Sequence, residues 1–228
     1  MVNRLDGLTE ATKWRLLVDA AKQAAEEQGY ALKRVPGRGL SNIWSMEKDG
    51  KKHLASIRTT RDRWIAFPPL NGGAKWKTLD EVELVVVAAV DSKEEPENIE
   101  VYIFPADEIR KRFNAAYAAR IEAGHAIRDN FGMWVGLDPD LRRVASSVGS
   151  GIVEHHIRVA MYSIDALLSA KLGPPPYGED GAAIDQKAEC ELTCPTTIAE
   201  VMAWAREHVA EIAGVPVDAV KLDLKVEY

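Results

Sequence analysis

The chain has 228 residues, of which 46% are hydrophobic and 28% charged, with a formal net charge of −6. That length is ample for one core of about 130–180 residues with a small appendage. The longest apolar run, Leu84 to Val90, is far too short for a membrane helix, and the opening MVNRLDGLTEATKW has no apolar signal region. A soluble, cytoplasmic protein with no membrane partner is therefore expected. The two cysteines, Cys190 and Cys194, make no disulfide framework and fit a reducing compartment.

The net charge argues against a histone-like polycation, but its distribution is uneven. Residues 1–63 carry 13 basic and 8 acidic side chains, residues 64–130 carry 8 and 12, and residues 131–228 carry 8 and 15. A local basic patch steers an anion even on an acidic protein, because salt confines each patch to about 8–10 Å.

In chain order, Thr9 or Thr12 caps a first helix, with Trp14, Leu17, Ala21 and Ala24 at helical spacing and Gly29 ending it. Residues 31–41 are basic, contain Pro36, Gly37 and Gly39, and read as a loop. A meander follows: a strand over Leu40–Met46, an Asp49-Gly50 turn, a returning strand over His53–Thr60, and a third over Arg63–Phe67 stopped by Pro68 and Pro69. Lys75–Glu83 is polar. Leu84–Val90 is a β-branched run suited to a strand buried on both faces, with Ile99–Phe104 as its partner. Pro105-Ala106-Asp107-Glu108 opens a helix through Ile109, Phe113, Ala116 and Arg120 that ends at Gly124, and Met133–Leu137 is one more short strand. A second helical region is expected over Ser146–Leu172.

The segment 173–183, with Gly173-Pro174-Pro175-Pro176, reads as a linker. Beyond it, residues 184–228 read as a strand–helix–strand unit, too small to stand alone. It is expected to dock on the main body, on a second copy of the chain or on another protein. Cys190 and Cys194 fall on one face of its first strand, about 13–14 Å apart, and read as small core residues and not as metal ligands.

Gly39-Leu40-Ser41-Asn42-Ile43-Trp44, then Gly50 through Arg61, then ELVVVAAVD and IEVYIFPADEIRKRF together resemble the PD-(D/E)xK nuclease-like superfamily over residues 9–137. The resemblance implies a central mixed sheet flanked by helices. It also implies a Mg²⁺ site with an acid on the first hairpin strand, then an acid or Gln, a spacer and a Lys on the second. Here Asn42, Ser56 and Arg58 stand at those positions. A hard divalent cation takes oxygen donors, preferably carboxylates, and an arginine is no base at neutral pH. The expectation is a degenerate site with no catalytic residue, metal or cofactor. What survives is a cationic surface suited to phosphate: Arg34, Arg38, Lys51, Lys52, Arg58, Thr60, Arg61 and Arg63, with Trp64 and Trp76 as aromatics that could stack on a base.

The expected function is nucleic-acid or protein binding through this basic hairpin. Two alternatives compete: an active Mg²⁺-dependent nuclease using relocated Glu26, Glu27 or Glu47, and an acidic protein-interaction or inhibitor module. His155-His156 and His125 read as helix-end groups. Ser146-Ser147-Val148-Gly149-Ser150-Gly151 reads as a flexible turn, and no phosphate-loop, dinucleotide or nucleophile-elbow motif occurs.

Overall fold

The computed structural model describes residues 3–35 and 43–172, together with 202, 205, 206, 209 and 217–222. Backbone contacts divide the chain into one unit of Met1–Val35 with Leu40–Pro174 and another of Pro36–Gly39 with Pro175–Tyr228. In the second unit, Met202, Ala205, Arg206 and Val209 are helical and Val217–Ala219 form a 3₁₀ turn. Its first expected strand, with Cys190 and Cys194, lies outside the described residues, as does the last expected strand beyond Leu222; residues 220–222 are not in a strand.

The first unit opens with helix α1 (Glu10–Glu27). Thr9 caps it, its hydroxyl accepting from the Thr12 N–H at 3.2 Å, and Gly29 follows the C-cap with φ of 85°. Leu16, Leu17, Ala20, Ala21, Ala24 and Ala25 form its buried face. So many alanines on one face let the helix axis lie close to a sheet. Trp14 has the helical spacing of this apolar face, yet it is 51% exposed.

That sheet has six strands: β1 (Ala31–Arg34), β2 (Ile43–Lys48), β3 (Lys51–Thr60), β7 (Leu84–Val90), β8 (Asn98–Pro105) and β10 (Ala160–Ser163), in that spatial order. β2 and β3 form an antiparallel hairpin whose turn residues, Asp49 and Gly50, both have positive φ, as a two-residue type I′ turn requires. β3 then pairs in parallel with β7 from Ala55↔Leu84 to Thr60↔Ala89, and β8 runs antiparallel to both β7 and β10. The fold is mixed α and β, as expected.

Both faces of the sheet are covered. α1 and the helix α3 (Ile164–Leu172) begin a core with Met46, Ala55, Ile57, Val86, Ala88 and Val101. On the other face, α2 (Ala106–Glu122) contributes Ile109, Phe113 and Ala116 to a core with Phe67, Trp76, Val85, Val87 and Phe104. Phe113 sits edge-on to both Phe67 and Trp76, with ring centroids 5.3 and 5.2 Å apart. Val85 to Val90 are buried throughout, which accounts for the unbroken apolar run of β7.

Several sequence expectations are corrected. Residues 31–34 are an edge strand and not a loop, because they pair with β2 from Ala31↔Glu47 to Arg34↔Trp44. The third strand of the expected meander, β4 (Trp64–Phe67), leaves the main sheet and pairs with β9 (Met133–Gly136). Two-residue strands β5 (Pro69–Leu70) and β6 (Lys75–Trp76) form a third small ladder. The helical region expected over 146–172 is helical only in α3; before it come 3₁₀ turns at Ala145–Ser147 and Ile152–His155, then β10. Gly149 follows the first turn by two residues. A Cβ there would sit 2.6 Å from the Arg112 carbonyl oxygen, so only glycine lets this segment lie on α2.

Asp91 organises the β7–β8 turn. Burial works to raise its carboxyl, but hydrogen bonds from the Asn98 amide at 2.7 Å and the N–H groups of Glu97 and Ser92 hold it below its ordinary value. With the folded value depressed, its contribution is present above the unfolded carboxylate range and fades as pH falls through the folded value. Urea denaturation should therefore show Asp91→Asn less stable than wild type at about pH 7, with the gap closing toward about pH 3. A constant gap would show that the Asp91 charge has no part in the turn.

Candidate functional site

The basic residues grouped by sequence do not form one patch. Lys51 and Lys52 are exposed at the hairpin turn, seven and six residues before Arg58 on the same strand. At the rise of a β-strand this separates them from Arg58 by about 20–23 Å. Arg34 is exposed on the edge strand β1. Arg38 and Asn42 lie outside the described residues.

Arg58 belongs instead to the C-terminal end of β3. Ser56, Arg58 and Thr60 alternate onto the sheet face that carries Phe67 and α2, whereas Ala55 and Ile57 face α1. β2 begins at Ile43, opposite Ser56, so among the described residues the last four positions of β3 have a ladder partner only in β7. There a cleft of about 890 Å³ opens, taking in Arg58 and Arg61, Lys13 and Trp14 of α1, Lys93 after β7, and Trp134 of β9. It lies outside the carboxyl ends of two parallel strands, where open sheets commonly bind ligands.

Electrostatically the cleft is uneven. Arg61 donates to Glu10 at 2.6 and 3.1 Å, and Lys13 donates to the same carboxylate at 3.1 Å. Those hydrogen bonds, Lys13 first, hold Glu10 below its ordinary value. Thr60 is spent inside the fold, donating to Asp62 at 2.8 Å and accepting the Trp64 N–H at 3.0 Å. Arg58 differs. Its guanidinium lies over the Phe67 ring, 4.4 Å from the centroid, and its Nε has no hydrogen-bond partner. No carboxylate pairs with it among the described residues. Burial pulls it down to about 10, so at neutral pH it stays charged. Holding such a charge half out of water is costly unless an anion approaches.

Arg63, also expected to meet phosphate, is taken up internally. It grips Asp138 through Nε and Nη2 at 2.6 and 2.9 Å, and its Nη1 donates to the Val90 carbonyl at 2.6 Å and to Glu100 at 2.9 Å. Arg158 and the Tyr102 hydroxyl also donate to Glu100. Burial opposes the Arg63 charge, and Asp138 and Glu100 outweigh it, holding the guanidinium above its ordinary value. The residue ties β4 and β9 to the ends of β7 and β8.

The Mg²⁺ implied by the nuclease-like resemblance does not fit the described side chains. Ser56 is fully buried with an unpartnered Oγ, and the next group on its face is the cationic Arg58. Glu27 accepts from the Tyr162 hydroxyl at 2.8 Å at the far end of α1, while Glu26 and Glu47 are exposed elsewhere. Among the described residues, no three His, Cys, Asp or Glu side chains are grouped to hold a metal ion. His156 is in an extended position after a 3₁₀ turn, not in a helix, and pairs with Glu108 at 2.8 Å. Trp76 is buried, donating to Asn114 at 2.7 Å, so it packs the core and stacks on nothing outside it.

Sequence reasoning missed a second pocket of about 480 Å³ beside the cleft, where Trp64 and Trp134 line both. Phe131 and Trp134 are 63% and 45% exposed there, in edge contact at 5.9 Å. The available signal was Trp134 itself: a tryptophan between Met133 and Val135, which face inward, must point outward on a strand. Lys13, Trp14 and Lys93 were not recoverable, since they reach the cleft from segments distant in sequence.

No family model, no curated protein and no solved structure matches the chain.

If Arg63 is a structural clamp, Arg63→Met should lower the unfolding free energy by about 3 kcal/mol, because Glu100 and Asp138 lose a mostly buried counter-charge. Arg63→Gly should also destabilise, although it relieves the positive φ of 62° at this position. A glycine variant as stable as wild type would assign the residue a merely conformational role.

Proposed function

We propose that this chain is a non-catalytic, PD-(D/E)xK-like protein that binds nucleic acid along the cleft at the C-terminal end of β3. The observation that carries the reading is Arg58: a charged guanidinium facing a large cleft, with a π-face beneath it and, among the described residues, no ion pair, although Asp6, Glu10 and Asp62 line the same cleft. Lys93 is exposed on the same cleft without an ion pair among the described residues, and Trp14, Trp64 and Trp134 add aromatic faces. Phosphate contacts from arginine and lysine with interleaved aromatics are the elements of sequence-tolerant nucleic-acid binding. The element order also supports the nuclease-like part: a leading helix, a hairpin, a strand parallel to its second arm, and a helix opened by Pro105-Ala106-Asp107-Glu108.

Catalysis is left out because the side chains at the second-acid and lysine positions, Ser56 and Arg58, supply neither a carboxylate nor a base. The hairpin lysines are secondary in this reading, since they stand about 20 Å from the cleft.

Anisotropy of labelled DNA against salt tests the proposal. Affinity should rise steeply as salt falls, and Arg58→Gln should weaken binding roughly tenfold and reduce the salt slope by about one phosphate contact. Lys51→Gln with Lys52→Gln should do much less. No binding at low ionic strength overturns the reading. DNA cleavage with Mg²⁺ or Mn²⁺ that Glu26→Ala, Glu27→Ala or Glu47→Ala abolishes would replace it with the nuclease alternative.

A further inference from the structure

We infer that the pocket beside the cleft holds one unpaired nucleotide of a single strand, its base against Trp134 and Phe131. This rests on the cleft being a nucleic-acid contact. It adds the form of nucleic acid recognised, single strand over duplex, and the residues that read it.

Four observations meet at this pocket. Its volume, about 480 Å³, lies in the roughly 300–1,000 Å³ range of clefts that enclose small ligands. Its aromatic rings are presented to solvent, whereas Phe67, Trp76, Phe104 and Phe113 are buried. Among the described residues its lining has the exposed cation Arg128 and no carboxylate. The neighbouring Asp129 carboxylate is turned away, accepting the Gly72 N–H at 3.1 Å. Finally, Trp64 and Trp134 line the cleft as well, so the pocket adjoins the cleft that takes in Arg58.

The rings are held in place. Arg120 is buried and donates to the carbonyls of Trp134 at 2.8 Å and Ser146 at 3.2 Å, which pins the backbone of β9 to α2. Gly132 leaves room for the indole: a Cβ there would come within 3.0 Å of the Trp134 ring. Arg120 is a positioning residue; Trp134 and Phe131 make the contact. A base offers its flat face only when it is unstacked, which a duplex does not allow without flipping, so the pocket selects single strands. An apolar protein side chain would fill the aromatic part and leave Arg128 without an anion.

The test measures binding of a labelled oligothymidylate and of a duplex of equal length at low salt, with thymidine monophosphate as competitor. Wild type should bind the single strand more tightly. Phe131→Ala and Trp134→Ala should each weaken that binding roughly five- to hundred-fold, and Phe131→Ala, which lines the pocket but not the cleft, should leave the duplex nearly unchanged. Both side chains are largely exposed, and Gly132→Ala offers a variant that keeps the indole but displaces it; it should move affinity the same way by less. Equal binding of strand and duplex, with none of these variants altering it while Arg58→Gln weakens both, overturns the inference and leaves the cleft reading standing. Failure of wild type to bind either nucleic acid overturns both. A mononucleotide that binds as tightly as the strand, or a protein retained by wild type and lost from Trp134→Ala with strand binding unchanged, overturns the single-strand assignment.

Discussion

β3 changes partner halfway along its length, and the rest of the molecule is arranged around that change. From Lys51 to Ser56 it is the second arm of an antiparallel hairpin with β2; from Ala55 to Thr60 it is the parallel neighbour of β7. A parallel neighbour cannot be reached by a tight turn, so the chain must cross over between Arg61 and Leu84. That crossover contains β4, β5 and β6, and it supplies Phe67 and Trp76 to one core. The end of β3 beyond its β2 partner is also where the cleft opens. Fold and candidate site therefore share one cause.

Two arginines five residues apart show how context decides the use of a charge. Arg63 follows β3 in a turn with positive φ and finds Glu100 and Asp138, so its charge is spent holding β4 and β9 to the sheet. Arg58 is on the strand itself, its guanidinium over Phe67 and without an ion pair among the described residues. Removing a counter-charge from the first costs stability, whereas the second already lacks one and gains from an incoming anion. The same composition of exposed-looking basic residues thus separates into a structural clamp and, in the function proposed above, a contact group.

Local signals were legible wherever one short segment decides the outcome. The Thr9 cap, the Asp49-Gly50 turn, the buried run of β7 and the Pro105 start of α2 were all readable, because caps, type I′ turns and continuous apolar runs have local causes. β1 was lost because Lys33 and Arg34 look like loop residues when read alone; an edge strand tolerates them since one side faces solvent. β4 was assigned to the wrong sheet because alternation reports burial and not the partner, which is β9 from about 70 residues away. For the site, Arg58 and Trp64 were legible as candidates. Their companions Lys13, Trp14, Lys93, Phe131 and Trp134 come from three other segments that only the tertiary fold assembles, and the neutralisation of Arg63 by Glu100 and Asp138 is equally non-local.

The central claim is that contact with nucleic acid is made at the C-terminal end of β3, away from the hairpin turn. Zero-length ultraviolet crosslinking of wild-type protein to single-stranded DNA, followed by mass-spectrometric mapping of the crosslinked peptides, reads that position directly. Crosslinks should fall on peptides containing Trp64 or the 131–134 segment. Crosslinks confined to the peptide carrying Lys51 and Lys52, or none at low salt, would contradict the account.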